Sequence, residues 1–172
     1  WTGALGQFSS HLTNFSSHIC LSEPISDLES VIWPSRKPFY DARPFINYLR
    51  ITGNERVVIG SGSGKPSFRN RVKLADFIDP DAWNRAREAF SMLVAGSRDI
   101  AFDSCWGGPI DISSDRLPFV GCFPGTRHYF GAGQSGHGII PSCIMAHCIA
   151  STLLGEDDRW SRLRLKRNLP DK

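Results

Sequence analysis

The densest chemical signal in this chain is the run Gly131-Ala132-Gly133-Gln134-Ser135-Gly136-His137-Gly138. A short aromatic stretch, His128-Tyr129-Phe130, leads into it, and the apolar stretch Ile139 to Leu154 follows. Glycines at a strand-to-helix turn let a ligand approach the backbone closely. The helix start adds free N–H groups and a partial positive charge. An electron-rich ligand is therefore predicted at this turn. His137 has three readings there: a general base, a hydrogen-bond donor to the ligand, or a helix-start histidine packed on its own turn. Tyr48 and Arg50 share the face of a predicted strand opposite Leu49 and could hold a polar or anionic substrate, or form a solvated sheet face. Trp106 beside two glycines reads either as pocket lining or as ordinary packing.

Several familiar motifs are approached and missed. Gly131, Gly133 and Gly136 spell G-x-G-x-x-G, but a Rossmann unit needs a second parallel strand after the helix, ending in an acid near the ribose. Here Gly155 ends the predicted helix, and Glu156-Asp157-Asp158-Arg159 follows. Ser61-Gly62-Ser63-Gly64-Lys65 lacks the first glycine of a P-loop, where Ile59 stands, and Pro66 replaces its Ser or Thr. Ser135 falls one residue short of a hydrolase elbow, because His137 occupies the last glycine's place. Asp41, Asp111 and His147 are available as acids or bases, but no spacing assigns them to Ser135. His147, inside an apolar helix, reads as a core histidine.

The elements that must position these residues are mixed α and β. Ser17 to Leu21 reads as a short strand ending at Pro24. Phe45 to Ile51 and Arg56 to Gly60 flank the turn Thr52-Gly53-Asn54-Glu55 as a hairpin. Asp79-Pro80-Asp81 opens a helix to about Ala95, stopped at Gly96, with an apolar stripe of Trp83, Ala86, Phe90 and Leu93. Ile100 to Trp106 reads as a further strand, and Gly107 to Gly125, punctuated by Pro109, Pro118 and Pro124, as irregular. Ile139 to Leu154 reads as a buried helix.

Bulk composition narrows the class. The 172 residues are 41% hydrophobic and 22% charged, enough for one domain or two small lobes. A net charge of +3 gives no case for nucleic acid. The basic residues Arg159, Arg162, Arg164, Lys166 and Arg167 read as a solvated tail. No apolar run is long enough to predict a membrane span. Five cysteines with no CxxC predict neither a disulfide framework nor a metal site, and fit a reducing, cytoplasmic setting. The chain lacks the basic start and apolar core of a signal peptide, and it begins at Trp1 rather than Met, as though residues were missing upstream.

Three segments together carry a resemblance. Trp106-Gly107-Gly108-Pro109-Ile110-Asp111-Ile112-Ser113, Asp115-Arg116-Leu117-Pro118-Phe119-Val120-Gly121 and Tyr129 to Gly138 resemble the C-terminal part of D-amino-acid-oxidase-like FAD-dependent oxidoreductases. Tyr40-Asp41-Ala42-Arg43 and Tyr48-Leu49-Arg50-Ile51-Thr52 resemble the hairpin of the gamma-glutamylputrescine oxidase branch. The resemblance implies an α+β fold: an antiparallel substrate-domain sheet with flanking helices, plus the C-terminal strand and helix of a split FAD-binding domain. Trp1-Thr2-Gly3 then corresponds to the end of a central FAD-binding segment. The implied divisions are 1–13 as its remnant, 14–104 as the substrate domain, and 105–172 as the return to the FAD domain. The family's N-terminal region, which holds the ADP half of FAD, has no counterpart here, so the chain resembles the C-terminal part of a longer enzyme and that missing region is its expected partner.

The resemblance implies FAD as cofactor, with Gly133, Ser135, Gly136, His137 and Gly138 as flavin contacts. Tyr48, Arg50 and Trp106 are the implied substrate residues, and no catalytic side chain is assigned. The implied chemistry is hydride transfer from a small-molecule amine to flavin N5, followed by imine hydrolysis and hydrogen peroxide formation. Family members that act on small amino acids often carry an Arg where this chain has Ile110, which disfavours a glycine-like substrate clamped there. The fragment alone is expected to be inactive. The alternative is a non-catalytic binding module that keeps the substrate-domain fold.

Overall fold

The computed structural model describes residues 5–167 apart from 27, 29–34, 44, 62–64, 68, 70, 74–76 and 164. The Trp1-Thr2-Gly3 correspondence, the glycines of the near-P-loop and Arg164 lie outside the described residues. The fold is α+β, and the strands among the described residues are β1 (Leu12–Ser22), β2 (Phe39–Tyr40), β3 (Tyr48–Ile51), β4 (Val57–Ser61), β5 (Phe102–Ser113), β6 (Phe119–Cys122) and β7 (Tyr129–Ala132). Among the described residues the α-helices are α1 (Pro80–Leu93) and α2 (Ile139–Leu154). A five-stranded antiparallel sheet has the order β2-β3-β4-β1-β5, and β6 pairs with β7 in a second, two-stranded sheet. The chain divides into two compact units. One holds residues up to Phe15, Pro66–Val72 and residues from Ile110 onward; the other holds Ser16–Lys65 and Lys73–Pro109.

In the second unit, β3 and β4 form the predicted hairpin, with Ile51 opposite Val57 and Tyr48 opposite Gly60. Alternation sends Leu49, Val57, Ile59 and Cys20 to one sheet face, where they meet Ala86, Ala89, Phe90 and Val94 around α1. Asp79 caps α1 as expected, its carboxylate accepting the Asp81 N–H at 3.0 Å. Ser97 closes the other end, donating to the carbonyls of Phe90 and Val94.

Four expectations need correction here. β3 starts at Tyr48 rather than Phe45, because the Asp41 carboxylate takes the Asn47 backbone N–H at 2.9 Å and its side-chain amide at 2.6 Å, drawing Asn47 away from the ladder. Trp83 is 40% exposed, since the buried stripe of α1 runs through Ala82, Ala86, Ala89 and Phe90. β5 continues to Ser113, through the stretch expected to be irregular. It is an edge strand, and an edge tolerates Pro109 because a missing N–H breaks no ladder on its open side. β1 is longer than its Ser17–Leu21 core: its buried face carries Asn14, Ser16, His18 and Ser22, and polar residues on that face conceal the hydrophobic period.

In the first unit, β6 and β7 have a face covered by Phe8, Leu12 and Phe123. Phe130 meets Phe8 edge-on at 4.9 Å and Phe119 at 6.1 Å, the T-shaped geometry that aromatic quadrupoles favour. Val120 joins Met145 and Cys148 of α2 in a second cluster. Helix α2 has its expected bounds, and Gly155, at φ 69°, ends it while the Glu156 N–H returns to the Ser151 carbonyl at 2.9 Å. It is not buried all round. Met145, Cys148 and Ser151 face inward, whereas Ile139, Ile140, Leu153 and Leu154 are exposed. His147 is exposed too, stacked on Trp160 at 4.7 Å and not in a core. Of the basic residues, Arg159, Arg162 and Lys166 are exposed, as expected of a solvated run, and Arg167 is half-buried. Arg162 pairs with Asp157, Arg159 lies over the Trp160 ring, and Arg167 pairs with Asp115.

Candidate functional site

Chemistry-bearing residues gather at one place in each unit. In the first, the glycine turn links the end of β7 to the start of α2. Gly133 (φ 73°), Ser135 (φ 53°) and Gly136 (φ 84°) all adopt the left-handed region. At Gly133 a side chain is also excluded by space, because a Cβ there would lie 2.9 Å from the Phe119 ring and 3.2 Å from Ser113 Cβ. The turn is pinned internally. The Ser135 N–H donates to the Asp111 carbonyl at 2.9 Å, the His137 N–H to the Gln134 carbonyl at 3.1 Å, and the Gln134 amide to Ser142 Oγ at 2.8 Å. Gly136 and His137 are exposed, and the nearest group to a Cβ at Gly136 would be Ile110 Cδ1 at 3.5 Å.

The helix start is arranged to offer donors. Ser142 makes the first intrahelical bond of α2, donating to the Gly138 carbonyl at 2.8 Å. Pro141 has no N–H, and Gly138 brings no capping side chain. The N–H groups of Ile139 and Ile140 therefore stand ahead of the helix's own hydrogen-bond ladder, at the positive end of its dipole. An electron-rich edge fits such a cradle. A nucleophile does not: the Ser135 hydroxyl donates to the Gly133 carbonyl at 3.2 Å rather than to an imidazole or carboxylate.

In the second unit, Tyr48 and Arg50 lie on the sheet face opposite Leu49 and α1. Tyr48 lies across Gly60 of the neighbouring strand, and a Cβ at Gly60 would fall within the phenol ring. Burial raises the Tyr48 phenol above its ordinary pKa. On β5, the Cys105 thiol is hydrogen-bonded to Cys20, and Gly107 lies against the His18 ring, both on the core side. Trp106, between them, then faces the other way, on the side of Tyr48 and Arg50. It is 47% exposed. The three predicted substrate residues thus share one face of one sheet.

Sequence reasoning named Ile110 and Asp111 in other roles and missed how these and other residues shape the two places. Ile110, Asp111, Ser113 and Phe119 buttress the turn from β5 and β6, and nothing local ties them to Gly133 or Ser135. Gly60 did leave a signal: a glycine inside a Val-Val-Ile strand marks close approach by another group. Among the described residues, no group of three or more His, Cys, Asp or Glu is placed to hold a metal ion. Nor is any helix among them long and apolar enough to cross a membrane.

Known proteins share both the fold and part of the sequence. The chain is 26% identical over 147 residues to the "probable oxidoreductase OrdL" of Haemophilus influenzae, covering 84% of this chain and 31% of the relative. It resembles the solved structure of glycine oxidase from Geobacillus kaustophilus with a TM-score of 0.70 at 16% identity, over 99% of this chain and 44% of that one. A fructosyl peptide oxidase matches with a TM-score of 0.72 at 11% identity, again over 99% and 44%. The chain therefore spans about a third of the curated relative and under half of these solved proteins. The FAD dependent oxidoreductase (DAO) family profile matches residues 1–152, and this chain belongs to that family.

Proposed function

We propose that this chain is the mainly substrate-binding part of an FAD-dependent amine oxidase, most similar to the gamma-glutamylputrescine oxidase branch. The observation that carries the reading is the glycine turn, set at a helix start whose first N–H groups lie outside the helix ladder, within a family match of 152 residues. In this reading residues 14–104 serve the substrate. Residues 1–13 and 105–172, apart from Trp106, serve the cofactor, and a further FAD-binding region holds its ADP half.

The residues present fit the cofactor. Gly133, Ser135, Gly136, His137 and Gly138 would line its electron-rich edge, mostly through backbone, and the N–H groups of Ile139 and Ile140 and the α2 dipole would stabilise negative charge there. FAD, when bound, supplies the two-electron acceptor for the carbon–hydrogen bond next to the amine nitrogen. Tyr48 and Trp106 would hold the carbon chain of a primary or secondary amine, with Arg50 meeting a polar or anionic tail. Ile110 adds an apolar side chain beside Gly136, which suits no small carboxylate at that point. The exposed apolar residues of α2 support the need for a further layer and favour this reading over a self-contained binding module.

The test compares the 172-residue chain alone with the same chain joined to the FAD-binding region of its gene. Primary and secondary amines are added without oxygen, and flavin absorbance is followed. Bleaching by an amine in the joined protein, and none in the chain alone, is the expected result. A joined protein that binds FAD yet is bleached by no amine in the panel would overturn the proposal.

A further inference from the structure

We propose that residues 165–167 form a strap that positions the glycine turn, with Arg167 as a positioning residue acting through Phe119. The inference rests on the reading of that turn as the cofactor contact, and it adds a residue which neither the motif nor the substrate face contains.

The strap is built as an extra strand. Lys166 bridges Val120 in parallel, the Val120 N–H donating to the Leu165 carbonyl and the Arg167 N–H to the Val120 carbonyl, both at 2.9 Å. It lies so close to β6 that a Cβ at Gly121 would sit 2.6 Å from the Arg167 carbonyl oxygen. The Arg167 guanidinium then reaches over the Phe119 ring, 4.8 Å from its centroid, and pairs with Asp115. Asp115 is itself fixed: it accepts the Leu117 N–H at 3.0 Å, and Ser113 Oγ lies 3.2 Å from the same oxygen.

What the guanidinium covers is the group that shapes the turn. Phe119 is fully buried, and its ring edge fills the space where Gly133 would carry a Cβ. Ser113, which donates to the Leu117 carbonyl at 2.8 Å, takes the rest of that space. Arg167, Phe119, Ser113 and Gly133 are thus in one packed series, all within the first unit. A flat guanidinium can stack on a ring and hold a carboxylate together; a lysine ammonium keeps the charge but not the stacking plane. Removing Arg167 frees the Phe119 ring on one side, and the left-handed backbone of Gly133 loses its stop.

Amide hydrogen exchange reads this directly. In the 172-residue chain, Arg167→Ala is expected to raise exchange over residues 133–137 by about tenfold while residues 48–61 stay as in the unaltered chain. Arg167→Lys is expected to recover only part of the protection. In the protein joined to its FAD-binding region, the FAD dissociation constant is expected to follow the same order and rise about tenfold for Arg167→Ala. Loosening confined to residues 165–167 and β6, or an equal rise across the first unit, would overturn the proposal. Faster exchange at the turn with unchanged FAD affinity would leave the strap standing and overturn the reading of the turn as a cofactor contact. Where Arg167→Ala does not fold, Asp115→Asn weakens the same pair and is read against the same outcomes.

Discussion

Gly60 and Gly133 are two glycines whose replacement the surroundings oppose, each for its own reason. At Gly60 the Tyr48 ring occupies the place of any side chain. Gly60→Ala is expected to push that ring toward solvent, cost about 1–3 kcal/mol through overpacking, and lower the phenol pKa toward its ordinary value. Ultraviolet titration, with Tyr48→Phe as the blank, reads the shift; an unmoved pKa would mean the ring finds an equally buried place. At Gly133 a left-handed φ and the Phe119 contact act together. Gly133→Ala is expected to lose about 1–3 kcal/mol in thermal unfolding. Gly136→Ala has more room, so backbone conformation alone sets its cost, and it should be the milder change.

At the scale of elements, the start of α1 carries more than its cap. The Asp79 carboxylate accepts the Asp81 N–H and also meets Lys65 Nζ at 2.8 Å and an Arg85 nitrogen at 2.9 Å. Partial burial opposes its ionisation, but the bonds from Lys65 and Arg85 outweigh this and hold its pKa well below the usual carboxylate range. A depressed native pKa stabilises the fold above the unfolded value near 3.9, and that contribution is lost as pH falls below it. Asp79→Ala is expected to cost about 0.5–2 kcal/mol for the cap, whereas Asp79→Asn keeps a good cap and loses chiefly the pH-dependent part. Urea unfolding at pH 7 and pH 3 separates the two; equal losses for Asn and Ala at pH 7 would assign the stabilisation to the ion pairs. The Asp115 carboxyl behaves alike in sign. Arg167 holds it at about 2, so the strap's ion pair is present at neutral pH and weakens as pH drops through that value.

At the scale of the molecule, the exposed isoleucines and leucines at the two ends of α2 leave apolar surface uncovered. Their apolar surface is expected to bind a hydrophobic dye in the 172-residue chain, and joining the FAD-binding region should suppress that binding. Replacing Leu153 and Leu154 with Gln should reduce dye binding in the chain alone and change its stability by no more than about 0.5 kcal/mol, since both side chains are exposed. A large loss of stability would show that these residues pack within the chain.

Sequence by itself determined the parts whose cause is local. The hairpin turn, the Asp79 cap, the bounds of α2 and the glycine-rich turn follow from propensity, capping and backbone freedom within a few residues. It also marked Tyr48 and Arg50 as sharing a strand face, because a two-residue period survives without any partner. Tertiary structure alone decided which side of α2 is covered, that β5 runs on through Pro109 at a sheet edge, and that Phe119 and Ser113 fill the space beside Gly133. Those outcomes depend on contacts between residues far apart in the chain. Burial of polar Asn14, Ser16 and His18 along β1 belongs with them, for a residue's type records its cost of burial while only its neighbours can offset that cost.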